Sequence, residues 1–279
     1  MTAAARPRIT VVTPCYNAAG FLDACIRSVL DQAYDDLEYI VIDGGSTDGS
    51  VGVIRAYEPR LAYWHSRPDR GQAHAINQGL ALATGDVVAY LNADDRYCPG
   101  ALPAVAAILG QRPEVTVVFG DAEFIDEAGG RTGRYDGVDQ PFERKLQYWR
   151  GWDVPQPTVF LRRRLLDRHG VLDEGFRYAL DYDWFLRIAR TERFQHAGAV
   201  MAQYRLHRGS KTADWSSTKH RFHAECARAV RKHLAPWSVA YWRWQGDYLL
   251  YRYASARRAA LRRWRRATPP ATAGGATVE

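Results

Sequence analysis

No apolar run in this chain approaches the roughly 18–20 residues that a membrane-crossing helix requires, so an integral helical membrane protein is not expected. Met1 to Pro7 is too short, and lacks the apolar segment, for a secretory signal. Cysteine is scarce. Cys15, Cys25, Cys98 and Cys226 have neither metal-ligand spacing nor the pattern of a disulfide framework, which makes a reducing, cytoplasmic setting the expectation. Internal repeats are absent. So is a uniform excess of positive charge: the formal net charge is +7, but 13 Lys/Arg against two acids, Glu225 and Asp247, fall between Lys219 and Arg266. The remainder holds 25 basic and 29 acidic residues. A near-neutral body with a basic end is not a general nucleic-acid binder, and no recognition module accompanies the charge.

What is present is a chain of 279 residues, 47% apolar and 25% charged, long enough for one large α/β domain with a helical appendage. Ile9–Thr13 reads as a strand, followed by a turn at Pro14–Asn17. Phe21, Leu22, Cys25, Ile26, Val29 and Leu30 then recur at helical spacing. Leu37–Ile42 is a buried strand, Ser50–Tyr57 a helix, Leu61–His65 a short strand, Gln72–Ala83 a helix and Val87–Leu91 another buried strand. This alternation predicts a doubly wound, mostly parallel sheet with helices on both faces. From Val115 the pattern shifts to a strand at Val115–Phe119, a hairpin of Glu123–Asp126 with Arg131–Tyr135, and a strand at Thr158–Leu161. Helices follow near Arg163–His169 and over Asp181–Arg190, then a strand near Ala199–Arg205. Residues 216–266 read as helical, aromatic and basic, and residues 267–279, rich in Pro, Ala, Gly and Thr, as a disordered tail.

Acidic residues stand where strands end. Asp43 closes the apolar run Leu37–Ile42 and opens Gly44-Gly45-Ser46-Thr47-Asp48, and Asn92-Ala93-Asp94-Asp95 closes Val87–Leu91. Carboxyl ends of parallel strands face the crevice where open α/β sheets bind ligands. A third acidic pair, Asp181 and Asp183, opens a helix whose Trp184, Phe185 and Ile188 read as inward. An acid at a helix start is often only a cap or a partner of the helix dipole, and the same holds for Asp48, read here as capping the following helix.

Seven segments in this order carry a resemblance: Thr13-Pro14-Cys15-Tyr16-Asn17, Val41 to Asp48, Pro68-Asp69-Arg70-Gly71-Gln72, Thr84-Gly85-Asp86, Leu91 to Asp95, Ala179-Leu180-Asp181-Tyr182-Asp183 and Tyr204-Arg205-Leu206-His207. From Thr10 to about Lys211 the chain resembles family 2 glycosyltransferases, inverting enzymes of the GT-A fold. The resemblance implies a GT-A catalytic domain over residues 1–215, with a nucleotide-binding half at about 8–120 and an acceptor-binding half at about 121–215. Residues 216–266 would be an extension. It implies a metal-dependent enzyme that moves one sugar from a nucleotide diphosphate donor, UDP- or dTDP-linked by preference, to a glycan or lipid-linked acceptor.

Residue by residue, Asp94 matches the second acid of the family's Asp-X-Asp metal motif, with Asn92 in place of the first, where it would contact ribose or metal-bound water. Asp95 ranks next as a ligand to Mn²⁺ or Mg²⁺. His207 is either polar surface or completes the metal or diphosphate site. Asp43 is placed to accept a base proton such as uracil N3–H. Tyr16 would add a ring contact, and Thr13 is either a ligand contact or a structural strand end. Arg70 is either a diphosphate contact or half of a surface salt bridge, and Asp181 takes the place of the general base, with Leu180 where many members have Glu. Gln147-Tyr148-Trp149-Arg150 is not the Gln-X-X-Arg-Trp of processive synthases, because it lacks the final Trp and precedes the base.

Two rival functions stay open. A sugar-nucleotidyltransferase needs a Gly-rich, Arg/Lys-bearing loop after the first strand, which Pro14–Asn17 is not; a silent glycan-binding scaffold would not need Asp43, Asp94 and Asp181 together. The basic aromatic end, residues 237–266, either packs on the domain or contacts the inner face of a membrane, since Trp and Tyr favour the bilayer boundary and Arg anionic headgroups.

Overall fold

A computed structural model of the protein describes residues 6–151, 153–211 and 215–267. The tail expected to be disordered lies outside these residues, apart from Ala267. The first strand, β1 (Ile9–Cys15), is buried along its whole length and leads to α1 (Ala19–Leu30). Next come β2 (Leu37–Asp43), α2 (Ser50–Tyr57), β3 (Tyr63–Ser66), α3 (Gln72–Leu82) and β4 (Val87–Tyr90). β1 pairs in parallel with β2 and with β4, and β2 with β3.

Period-two alternation sorts the strand residues between two faces. Val11, Tyr39, Val41, Val87 and Ala89 join one core with Leu22, Cys25, Ile26 and Val29 of α1 and Ile54 of α2. Burial of each such aliphatic side chain is worth roughly 1.5–3 kcal/mol, which holds in place a helix of 12 residues that would be marginal alone. On the opposite face Val12 meets α3. A Cβ added at Gly79 would lie 2.3 Å from Val12 Cγ1, so that glycine sets how closely α3 seats on the sheet.

Beyond β4 come β5 (Arg96–Tyr97), α4 (Ala101–Gln111), β6 (Val117–Ile125), β7 (Arg131–Tyr135), α5 (Phe142–Lys145), β8 (Phe160–Arg162), α6 (Arg164–His169), α7 (Leu180–Ala189) and β9 (Phe194–Arg205). These strands extend the same sheet, in the order β3-β2-β1-β4-β8-β6-β9-β5 with β7 on β6. β6 runs parallel to β9 and antiparallel to β7 and β8. The expected strand at Val115 and the first arm of the expected hairpin are thus one long strand. The sequence pattern passed over α4, because Ala101-Leu102-Pro103-Ala104-Val105-Ala106-Ala107-Ile108-Leu109 is apolar on nearly all sides and shows no helical period.

Two helices follow, α8 (Trp215–His233) and α9 (Val239–Ala267). The chain divides into two compact units, Met1–His233 and Leu234–Glu279. α8 stays with the first unit because it packs on α7, where its His233 bonds the fully buried Asp183. In the second unit Ser238 caps α9, its hydroxyl accepting the Tyr241 N–H at 3.1 Å. Among the described residues, no helix is long and apolar enough to cross a membrane.

Candidate functional site

The parallel register puts Cys15 beside Asp43, so β1 and β2 end level. The loops that follow are stitched together there. Asn17, at φ +48°, accepts the Thr47 N–H on its Oδ1 at 2.9 Å and donates its own N–H to Ser46 Oγ at 2.7 Å. Asp48 accepts from Ala19 N at the start of α1 and from Ser50 N and Oγ at the start of α2, so it serves both helix entries instead of one.

Asp43 is fully buried and already well supplied with donors. Its Oδ2 accepts from Gly45 N, Ser46 N and Ser66 Oγ at 3.1, 2.9 and 2.6 Å, and its Oδ1 from Ser46 Oγ at 2.5 Å. Burial pushes the carboxyl up, but the Ser46 and Ser66 bonds outweigh it and hold the group below its ordinary value. Gly44 leaves room for the neighbouring acid, since a Cβ there would lie 2.7 Å from Asp69 Oδ2. Tyr16 is exposed at this mouth. Arg70 is exposed too and pairs with Glu174 at 2.8 Å, a surface bond weak enough to open for another anion. Thr13 does not line the crevice. It is fully buried, its hydroxyl 3.0 Å from Tyr39 Oη and turned towards Cys25, so it braces β1 from inside the core.

The turn after β4 forms the second corner. Asn92 accepts from Gln72 Nε2 at 2.6 Å and donates to Asp95 Oδ2 and Gln156 Oε1. Asp95 is buried, its Oδ1 accepting the Arg205 N–H at 2.9 Å; burial, and then the Asp94 charge, push its carboxyl well above the usual range. Each oxygen accepts an internal hydrogen bond, so Asp95 braces the turn. Arg205 completes the clamp, with Nε on the Asp94 carbonyl and Nη1 on those of Asp126 and Glu127. Asp94 is left facing outwards and meets His207, Nε2 to Oδ2 at 3.0 Å. The His207 ring packs on Phe21, centroids 4.5 Å apart, and its Nδ1 accepts the Gly209 N–H. That bond assigns the proton of a neutral ring to Nε2.

Among the described residues no group of three or more His, Cys, Asp or Glu could hold a metal. Asp94 and His207 offer one carboxylate and one imidazole. With its Nε2 proton moved to Nδ1 and the Gly209 contact given up, His207 could join Asp94 in holding a hard divalent cation whose remaining ligands are phosphate oxygens and water.

The third corner is the start of α7. Asp181 accepts the Tyr182 N–H at 2.8 Å, and burial raises its carboxyl above the ordinary value. Glu225 of α8 sets the approach to this helix by accepting the N–H groups of Arg177, Tyr178 and Ala179 at 3.0, 2.7 and 2.9 Å. Lys211 links the corners. Its Nζ donates to Gln72 Oε1 at 2.6 Å and to the Arg177 carbonyl at 2.8 Å, and its charge acts on Asp181. Burial and the Arg177 charge hold its ammonium below the usual lysine value. Asp183, by contrast, points into the protein, on His233 at 2.9 Å and on Arg187 and Lys232.

Sequence reasoning assigned no role to Gln72, Arg205, Lys211 or Glu225. The first two lie inside quoted motifs and Lys211 just past one, so their place in the chain was a signal. Glu225 sits in a basic helix 46 residues or more from its partners, and no spacing rule links them.

Comparison with known proteins bears on family and fold. A family model described as Glycosyl transferase family 2 matches residues 10–170. The PGL/p-HBAD biosynthesis glycosyltransferase Rv2957 of Mycobacterium tuberculosis is 30% identical over 208 residues, 72% of this chain and 77% of that protein. The O-antigen biosynthesis protein RfbC of Myxococcus xanthus is 32% identical over 189 residues, 66% of this chain and 14% of that protein. Among solved structures, S. aureus TarS 1–349 in complex with UDP-GlcNAc aligns with TM-score 0.64 at 20% identity, covering 80% of this chain and 65% of that one. The mannosyltransferase PcManGT of Pyrobaculum calidifontis, in complex with GDP-Man and Mn²⁺, aligns with TM-score 0.61 at 24% identity, covering 81% and 65%. These two likenesses show the GT-A fold. With the family model spanning more than half of its length, the chain belongs to glycosyl transferase family 2.

Proposed function

We propose that the protein is a metal-dependent, inverting, non-processive hexosyltransferase that moves one sugar from a nucleotide diphosphate donor to a hydroxyl of a glycan or lipid-linked acceptor, in cell-surface polysaccharide or lipid-linked glycan assembly. The reaction is placed in the cytoplasm, at the inner face of the membrane. The observation that carries the reading is the Asp94–His207 pair at 3.0 Å beside a turn braced by Arg205, with Lys211 bonded to Gln72 and the Arg177 carbonyl.

In this reading Asp94 and His207 hold Mn²⁺ or Mg²⁺. The two side chains would hold the cation there, which would supply positive charge against the departing nucleoside diphosphate. Lys211 and Arg70 supply cationic partners for the same phosphates, and the Arg70–Glu174 bond opens to release the guanidinium. Asn92 meets the ribose. Asp43 and Tyr16 form the base pocket, the Ser46 hydroxyl turning away from Asp43 Oδ1 to admit the base proton. A uridine or thymidine base suits an acceptor carboxylate. Asp181 takes the proton of the attacking hydroxyl, and its raised carboxyl makes it a stronger base than an exposed aspartate.

Thermal shift with Mn²⁺ and a panel of nucleoside diphosphates tests the donor site, because a ligand that binds the folded chain raises its melting temperature. UDP or dTDP is expected to shift it and GDP is not; no response to any nucleotide would sink the reading. Asp94→Ala and His207→Ala are each expected to abolish metal-dependent donor hydrolysis, with the fold intact by circular dichroism. Chelator is expected to do the same to the unsubstituted protein.

A further inference from the structure

The second compact unit carries a surface that the catalytic reading does not use. Within α9 the rings of Tyr241, Trp244 and Tyr248 gather on one side, with Trp244 buried and stacked on Tyr248 at 5.6 Å. The other side is apolar and open. Val239, Trp242, Leu249, Leu250 and Tyr253 are 85, 66, 64, 69 and 71% exposed. At about 3.6 residues per turn these five fall in one arc of roughly 100°. Arg243 and Arg252 stand outside its two edges, and Arg257 lies at its carboxyl-terminal end; all three are exposed. Between Val239 and Ala267 there are eight arginines and a single acid, Asp247.

We infer that this face of α9 docks the protein on an anionic lipid bilayer, lying in the headgroup plane. A row of Trp, Leu, Leu and Tyr buries apolar area at the acyl boundary, where indole and phenol rings are favoured, and the arginines on either side meet lipid phosphates. The charge selects this occupant. A second copy would bring two arginine-edged faces together, so like charges would oppose the apolar contact. The helix is too polar to cross the bilayer, so contact is peripheral and reversible.

Vesicle flotation of the full chain, without any sugar nucleotide, tests the inference independently of the catalytic reading. Binding is expected to vesicles of phosphatidylglycerol and phosphatidylcholine in equal parts, to weaken as salt rises, and to be slight on phosphatidylcholine alone. The triple substitution Trp242→Ser, Leu249→Ser, Leu250→Ser is expected to weaken partitioning by roughly tenfold or more, with helix content and nucleotide thermal shift unchanged. Arg243→Gln with Arg252→Gln is expected to lower both the affinity and its salt dependence. The inference is overturned by failure to float with either vesicle, by equal binding to the neutral and anionic ones, or by binding that survives the triple substitution. A dimer in solution that the triple substitution dissolves, without vesicle binding, would overturn it in favour of a second copy.

Discussion

Asp181 and Asp183 lie two residues apart in one helix and have opposite environments. Asp183 is fully buried among His233, Lys232 and Arg187, and burial, which raises its carboxyl, is outweighed by the His233 hydrogen bond and those cations. Asp181 lacks such support and titrates above its ordinary value. As a base it works deprotonated, so the acid limb of kcat/KM is expected above about 3.9, the value of a free aspartate. Lys211 lowers the Asp181 carboxyl through its charge, and Lys211→Met is therefore expected to move that limb to higher pH, read from pH–rate profiles. Asp181→Asn is expected to cut transfer by about 10²-fold or more while nucleotide affinity stays unchanged; full transfer by this variant would remove the base assignment. The sequence could nominate both acids but not tell them apart, because what separates them is α8, some 50 residues on.

Between elements, close approach and capping govern the site. α3 carries Gln72 at its first turn, and Gly79 seats that helix against Val12 of β1. Gly79→Ala is expected to cost about 1–3 kcal/mol in urea unfolding, since the added carbon overpacks a filled interface. At the start of α7 the three N–H groups taken by Glu225 fix the direction from which Asp181 enters the crevice. Hydrogen bonds to a charged group contribute about 1.5–3 kcal/mol. Glu225→Ala is accordingly expected to lower kcat with little change in nucleotide affinity, and Glu225→Gln, which keeps an acceptor oxygen, to recover much of the loss. Equal losses in Glu225→Ala and Glu225→Gln would show that the acceptor oxygen is not what matters. Element order was legible up to β4, where apolar runs and turn residues alternate cleanly. It failed at α4, where apolar residues also fill the exposed face and mask the helical period of the buried Leu102, Val105, Ala106 and Leu109, and at β5, where two residues are too few to carry one.

Across the whole molecule, the limit of the first unit has a consequence for stability. Because α8 supplies His233 and Lys232 to Asp183, removing that carboxylate charge is expected to strain the packing of α7 on α8. Asp183→Asn is expected to destabilise the chain by about 3 kcal/mol at neutral pH, as in other broken buried pairs. The folded carboxyl sits below its unfolded value, so its stabilisation is complete above the ordinary carboxylate range and is lost as pH falls through the depressed folded value. The difference between the two proteins in denaturant melts is expected to shrink over that acidic window. The strand–helix alternation, the acids that follow the apolar runs of β2 and β4, and the basic aromatic composition of α9 are local properties, legible because apolar period and turn chemistry act over a few residues. Which of those acids stay open is another matter. Thr13 and Asp95 turned inwards, Asp94 met His207 across 113 residues, and Lys211 reached Gln72 across 139. Such pairings depend on where distant strands and helices come to rest against one another, and burial and partner charge, which set each group's chemistry, exist only once the chain is packed.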